Sequence, residues 1–104
     1  MKYKIYQLHD LHNCDYAFAN KFKEAKEKGF DINDYDVVYE GNIEPEDERE
    51  DLTVFDYLEN LFYIFNMEHP KDFHGHSLST SDIVELDGKK YYVEGIGWTL
   101  IEQK

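Results

Sequence analysis

A single cysteine, Cys14, stands among the 104 residues, so no disulfide can close within the chain, and such usage fits a reducing compartment. Proline occurs only twice, and there is no internal repeat and no low-complexity tract beyond one acidic run. No apolar stretch approaches the roughly 20 residues of a membrane span. Met1-Lys2-Tyr3-Lys4 leads into alternating Ile5 and Leu8 rather than into the apolar core of a signal peptide. These absences predict a soluble, cytoplasmic protein. Bases are scarce as well: 11 Lys and Arg stand against 23 Asp and Glu, a formal charge of −12 with a pI near 4.6. That balance disfavours direct adhesion to nucleic acid or an anionic membrane and favours a basic protein surface. What the chain does hold is apolar and aromatic: 41% hydrophobic residues, with seven Phe, nine Tyr and one Trp. This is more than a solvated polyelectrolyte carries, and its length suits one domain, residues 1–104, with one modest core.

The charge is unevenly placed. Residues 1–30 carry six bases and four acids, a net of +2, and residues 61–104 carry four bases and seven acids, a net of −3. Residues 31–60 hold twelve acids and only Arg49 as a base, a net of −11. The densest part, Glu44 to Asp51 (EPEDERED), has no apolar residue and is expected to be a solvated loop. A solubilising linker would explain such a run. Here, however, patterned segments flank it on both sides, so the fold holds it in place. Carboxylates fixed on a folded surface present the charge pattern of a phosphate backbone.

Hydrophobic periodicity orders the rest. Residues 2–8 predict a strand, with Tyr3, Ile5 and Gln7 on one side and Lys4, Tyr6 and Leu8 on the other. Phe18, Phe22 and Ala25 recur at helical spacing, which predicts a helix from about Cys14 to Lys28, capped by Asn13 or Asp15 and stopped by Gly29. Residues 35–41 read as a short strand with Val37 and Tyr39 alternating against Asp36, Val38 and Glu40. A second helix is expected from Thr53 to Met67 on a stripe of Phe55, Leu58, Phe62 and Phe65, with Thr53 and Asp56 as a capping box. Residues 83–86 and 90–94 flank Asp87-Gly88, a hairpin signal, and Gly95 and Gly97 precede a last strand at 98–101. The fold class expected is α+β: two helices packed on one face of a small, mostly antiparallel sheet that ends in a C-terminal β-meander.

Motifs for chemistry are sparse. His9, His12 and Cys14 lie close together, and His69, His74 and His76 surround Gly75, but neither group has zinc-site spacing. The hydroxyl-rich Ser77 to Asp82 lacks a nucleophile elbow. Ser79, Thr80, Ser81 and Asp82 are expected instead to bond neighbouring backbone groups ahead of the hairpin. The lysines Lys21, Lys23, Lys26 and Lys28 are read as a solvated helix face. No cofactor, no metal and no catalytic residue is expected, and the protein is not read as an enzyme.

Several blocks nonetheless resemble a known pattern: Phe65-Asn66, His69-Pro70, Gly75-His76-Ser77-Leu78-Ser79, Ser81-Asp82-Ile83-Val84, and Tyr92 through Gly97-Trp98, with Asp34-Tyr35 and Val38-Tyr39-Glu40-Gly41 upstream. Together they resemble the YodL-like domain and related small accessory domains of plasmids, conjugative transposons and phages. The resemblance covers about 70 C-terminal residues and the first helix only loosely. Trp98 stands where Phe is usual, and the acidic loop is longer and more charged. The resemblance implies a mobile-element gene and no established active site; small acidic genes of that kind include antirestriction and anti-CRISPR proteins. The function expected is therefore a counter-defence inhibitor of a type II CRISPR effector. It would block guide RNA or DNA binding by docking on the basic surface of the nuclease or its ribonucleoprotein. The residues expected to dock are Asp34, Asp36, Glu40, Glu44, Glu46, Asp47, Glu48, Glu50 and Asp51. The alternatives are an interaction module of a plasmid or conjugative element and a His/Ser-based enzyme or ligand-binding domain built on His69, His74, His76 and the Ser77 to Asp82 stretch. The sequence leaves the oligomeric state open.

Overall fold

A computed structural model describes residues 1–68, 70–73 and 75–101. Its elements are β1 (Lys2–Leu8), α1 (Phe22–Glu27), β2 (Tyr35–Asn42), α2 (Val54–Met67), β3 (Ile83–Leu86), β4 (Lys89–Val93) and β5 (Trp98–Ile101). The strands form one sheet in the order β2-β1-β3-β4-β5, with every pairing antiparallel. The fold is α+β, and β3 to β5 form the meander expected at the C-terminal end. Because β2 and β3 both run antiparallel to β1, they are parallel to each other, and α2 is the crossover between them.

The two helices cover opposite faces, not the single face expected. Ile5, Val84, Leu86 and Tyr91 pack with Leu58, Leu61 and Phe65 of α2. Leu8, Ile83, Tyr92 and Ile101 pack with Phe22 and Ala25 of α1, together with Tyr16 and Tyr35. The reason lies in the consecutive apolar pairs Ile83-Val84 and Tyr91-Tyr92. Successive strand residues point to opposite faces, so such pairs require cover on both.

The first helix is much shorter than its periodicity suggested. Residues 14–19 form turns, closed by Ala17 N–H to the Cys14 carbonyl at 3.2 Å and Ala19 N–H to the Tyr16 carbonyl at 3.0 Å. Phe18 lies at φ 62° and is 53% exposed; Tyr16 takes the buried place instead. Neither Asn13 nor Asp15 caps α1, which Lys21 precedes without a side-chain cap; Asp10 caps the short 3-10 turn at 11–13. Gly29 does stop the helix, at φ 94°.

In α2 the Thr53–Asp56 capping box forms as expected, with Thr53 Oγ1 accepting from Asp56 N–H and Asp56 Oδ2 accepting from Thr53 N–H. Its buried stripe is rotated to Tyr57, Leu58, Leu61 and Phe65, leaving Phe55 51% exposed against the edge of the Tyr91 ring. Phe62 is half-buried and meets Trp98 edge-on at 6.2 Å. In β2 the alternation breaks at Val38. Ile5 pairs with Tyr39 and the next residue, Tyr6, with Val37, so Val38 is an extra residue in the ladder, and this bulge leaves Val37 exposed. The Asp87-Gly88 turn has positive φ at both residues, 52° and 84°, the geometry of a type I′ hairpin.

Candidate partner-binding surface

The acidic segment is part of the fold. After β2 the chain makes a 3-10 turn at Pro45–Asp47 and then runs back to α2. Five hydrogen bonds fix it. Ile43 N–H donates to the Met1 carbonyl at 2.7 Å, and the Met1 ammonium reaches the Ile43 carbonyl at 3.0 Å and Glu48 Oε2 at 3.3 Å. The Tyr57 hydroxyl of α2 accepts from Arg49 N–H at 2.8 Å and donates to the Arg49 carbonyl at 3.2 Å. The run thus keeps a set course while residues 44–51 all stay exposed.

The nine expected docking residues fall into distinct environments. Asp34 is half-buried, and its carboxylate accepts from the Tyr16 hydroxyl at 2.7 Å; it anchors the 14–19 turns. Asp36 lies 3.7 Å from His9, Glu40 3.7 Å from Lys4, and Asp51 3.8 Å from Arg49, all as exposed pairs. Such pairs contribute about 0–1 kcal/mol each and exchange partners readily. Glu48 holds the Met1 ammonium. Glu44, Glu46, Asp47 and Glu50 form no ion pair among the described residues. The four carboxylates with unspent charge therefore lie together in the 44–50 stretch.

A second polar assembly lies at the start of β3, where the sequence suggested backbone-bonding hydroxyls. Asp82 Oδ2 accepts from Ser79 N–H at 2.9 Å and from Gln7 Nε2 at 3.1 Å, while Asp82 N–H donates to the Ser79 carbonyl at 3.0 Å. Ser81 is buried at φ 81°; its Oγ accepts from Phe18 N–H at 3.0 Å and its carbonyl accepts the Tyr35 hydroxyl. Gln7 also donates to the His76 carbonyl at 2.8 Å and accepts from His76 N–H at 3.2 Å. His76 Nδ1 stands 3.8 Å from Asp82 Oδ2. Asp82 is fully buried and its Oδ1 has no partner among the described residues. Burial therefore pushes this carboxyl from its ordinary 3.8 up to about 7, against the opposing pull of Ser79, His76 and Gln7. Burial likewise pushes the Tyr35 and Tyr16 hydroxyls far above the ordinary tyrosine range, helped at Tyr16 by Asp34, so both remain hydrogen-bond donors.

Gln7 is the member of this assembly that periodicity did not single out. Its signal was present: a polar residue on the same strand side as Tyr3 and Ile5 must find buried partners. Two glycines of the sequence blocks also acquire reasons. A Cβ on Gly75 would collide with the Gln7 amide and the Phe73 ring, and one on Gly41 with the Tyr3 ring that crosses it from β1. His69 and His74 lie outside the described residues. Among the described residues no three His, Cys, Asp or Glu side chains converge as a metal site would require, which includes His9, His12 and Cys14.

An α+β domain with a fixed acidic loop and a buried Gln-Asp assembly is thus the class to be placed. The YodL-like domain profile matches residues 2–103, and the chain belongs to that family. The match takes in α1 and the acidic loop as well as the C-terminal blocks. No curated protein and no solved structure matches the chain. No helix among the described residues is long and apolar enough to cross a membrane.

Proposed function

We propose that the protein is a binding module that docks its 44–51 segment on the cationic nucleic-acid-binding surface of a host nuclease, and that a type II CRISPR effector is the target. The observation that carries this reading is the anchored loop on which Glu44, Glu46, Asp47 and Glu50 stay exposed without cationic partners among the described residues. An unanchored acidic tail would lose conformational entropy on docking; a loop already held by Met1 and Tyr57 loses less. The family resemblance to mobile-element genes supports a counter-defence role, and the carboxylate spread over β2 and the loop supports competition with guide RNA or DNA.

The test is a cleavage assay with a type II CRISPR nuclease, adding the protein before guide RNA, after guide RNA, or after target DNA. Inhibition confined to addition before the guide is expected, and it identifies the RNA-binding channel as the docking site. Cleavage unaffected in every order overturns the nuclease target and favours an interaction module of a conjugative or replicative element.

A further inference from the structure

The acidic loop does not lie flat. Between it and α2 runs an open groove of about 610 Å³, within the range of built ligand sites. Its lining carries the carboxylates of Glu44, Glu46, Asp47 and Asp56, with Arg49 beside them paired to Asp51, and an apolar part formed by Leu52, Leu61 and Ile64. Leu52 and Ile64 are half-buried: they pack on the core with one side and leave the other open to the groove. The Tyr57–Arg49 clamp holds the loop at a set distance from the helix.

A pure phosphate mimic needs only the carboxylates. The apolar part adds a second requirement, because a polycation lying over it would leave that part half-covered and bury no apolar surface in return. We propose that the groove receives a polypeptide segment of the partner in which arginine or lysine residues flank an apolar side chain. The apolar side chain seats against Leu52 and Ile64, and the cations meet Glu44, Glu46 and Asp47. The net of −11 over residues 31–60 provides the charge complementarity, and the apolar part selects among basic segments. This deepens the binding-module reading and rests on it.

The probes are two synthetic dodecapeptides, one with leucine at every third position among arginines and one of arginine alone, titrated onto the full-length protein at about 0.3 M NaCl, where exposed pairs are strongly screened. Tighter binding of the leucine-bearing peptide, by about tenfold or more, is expected, since one buried leucine supplies that ratio. Methyl NMR shifts should concentrate at Leu52 and Ile64. Leu52→Ser should remove the preference and keep the oligoarginine affinity; Glu46→Lys with Asp47→Lys, on the exposed loop, should weaken both peptides without touching the core. Equal affinities for the two peptides, no binding of either, or methyl shifts confined to other sites would overturn the groove. Nuclease inhibition by the parent protein alongside its equal affinities for the two peptides would leave the docking function standing without the groove. A leucine preference with no effect on any nuclease would do the reverse.

Discussion

Asp82 shows how much one buried side chain can set. One of its oxygens is bonded to Ser79 and Gln7 while the other has no partner among the described residues, so ionising it is costly and its carboxyl is raised to about 7. A raised carboxyl means that the folded state keeps a proton the unfolded chain has already released. Its contribution to stability is fully present below about pH 4, falls as the pH climbs through the window from about 4 to 7, and is gone above it. Asp82→Asn can keep the Gln7 and Ser79 bonds through its amide oxygen and carries no charge. Relative to the parent, it should gain roughly 1–3 kcal/mol between pH 5 and pH 8. Urea unfolding at both values checks this, and an unchanged difference would place the titration elsewhere. Glu85 contributes in the opposite sense. Although burial opposes it, bonds from Tyr6 and Lys90 hold its carboxyl below the ordinary range, so its contribution is lost as the pH falls. Tyr35→Phe removes the hydroxyl bonded to the Ser81 carbonyl and should cost about 1–2 kcal/mol by the same unfolding measurement.

Elements whose signals are local could be read from the chain, and those that depend on distant partners could not. The hairpin was legible because Asp87-Gly88 itself demands the backbone angles found there, and α2 was legible because Thr53 and Asp56 cap it reciprocally. Thr53→Ala should therefore destabilise the domain by about 1 kcal/mol, seen as a lower denaturation midpoint with an unchanged slope. Gly88→Ala, at φ 84°, should cost about as much, through backbone strain rather than lost contacts. The segment before α1 misled because Phe18 and Phe22 stand four residues apart, as on a helix. What decides the conformation there is the bond from Phe18 N–H to Ser81 Oγ and the Tyr16 hydroxyl on Asp34, and neither partner is visible in a local window. The rotated stripe of α2 has the same origin: Phe55 outweighed Tyr57 by composition, whereas the clamp on Arg49 turns Tyr57 inward. In the candidate surface the acidic run was plain in the sequence; its anchoring by Met1 and the groove behind it were not, since both arise where separated segments meet.

At the scale of the whole molecule the charge acts in two directions that salt separates. Repulsion among the carboxylates of residues 31–60 opposes compaction, and added salt relieves it. The same salt weakens attraction to a cationic partner. Raising NaCl from about 20 to 300 mM should therefore raise the melting temperature while it lowers affinity for a basic surface, with the affinity loss carried by slower association. Reversing Glu44, Glu46, Asp47 and Glu50 together to lysine should flatten both dependences, readable by calorimetry and by stopped-flow binding.

The position of β1 has a consequence for how the chain is made. Tyr3 pairs with Gly41 on one side and with Leu86 on the other, so β1 receives its second neighbour only after β2, the acidic run and α2 have been synthesised. Until then a nascent chain offers one open strand edge and a half-covered apolar face, the features by which chains on adjacent ribosomes join wrongly. The acidic run is translated between β2 and β3, within that interval. Once made, it gives the unfinished chain a strongly negative segment, so that neighbouring copies repel one another before β3 is added.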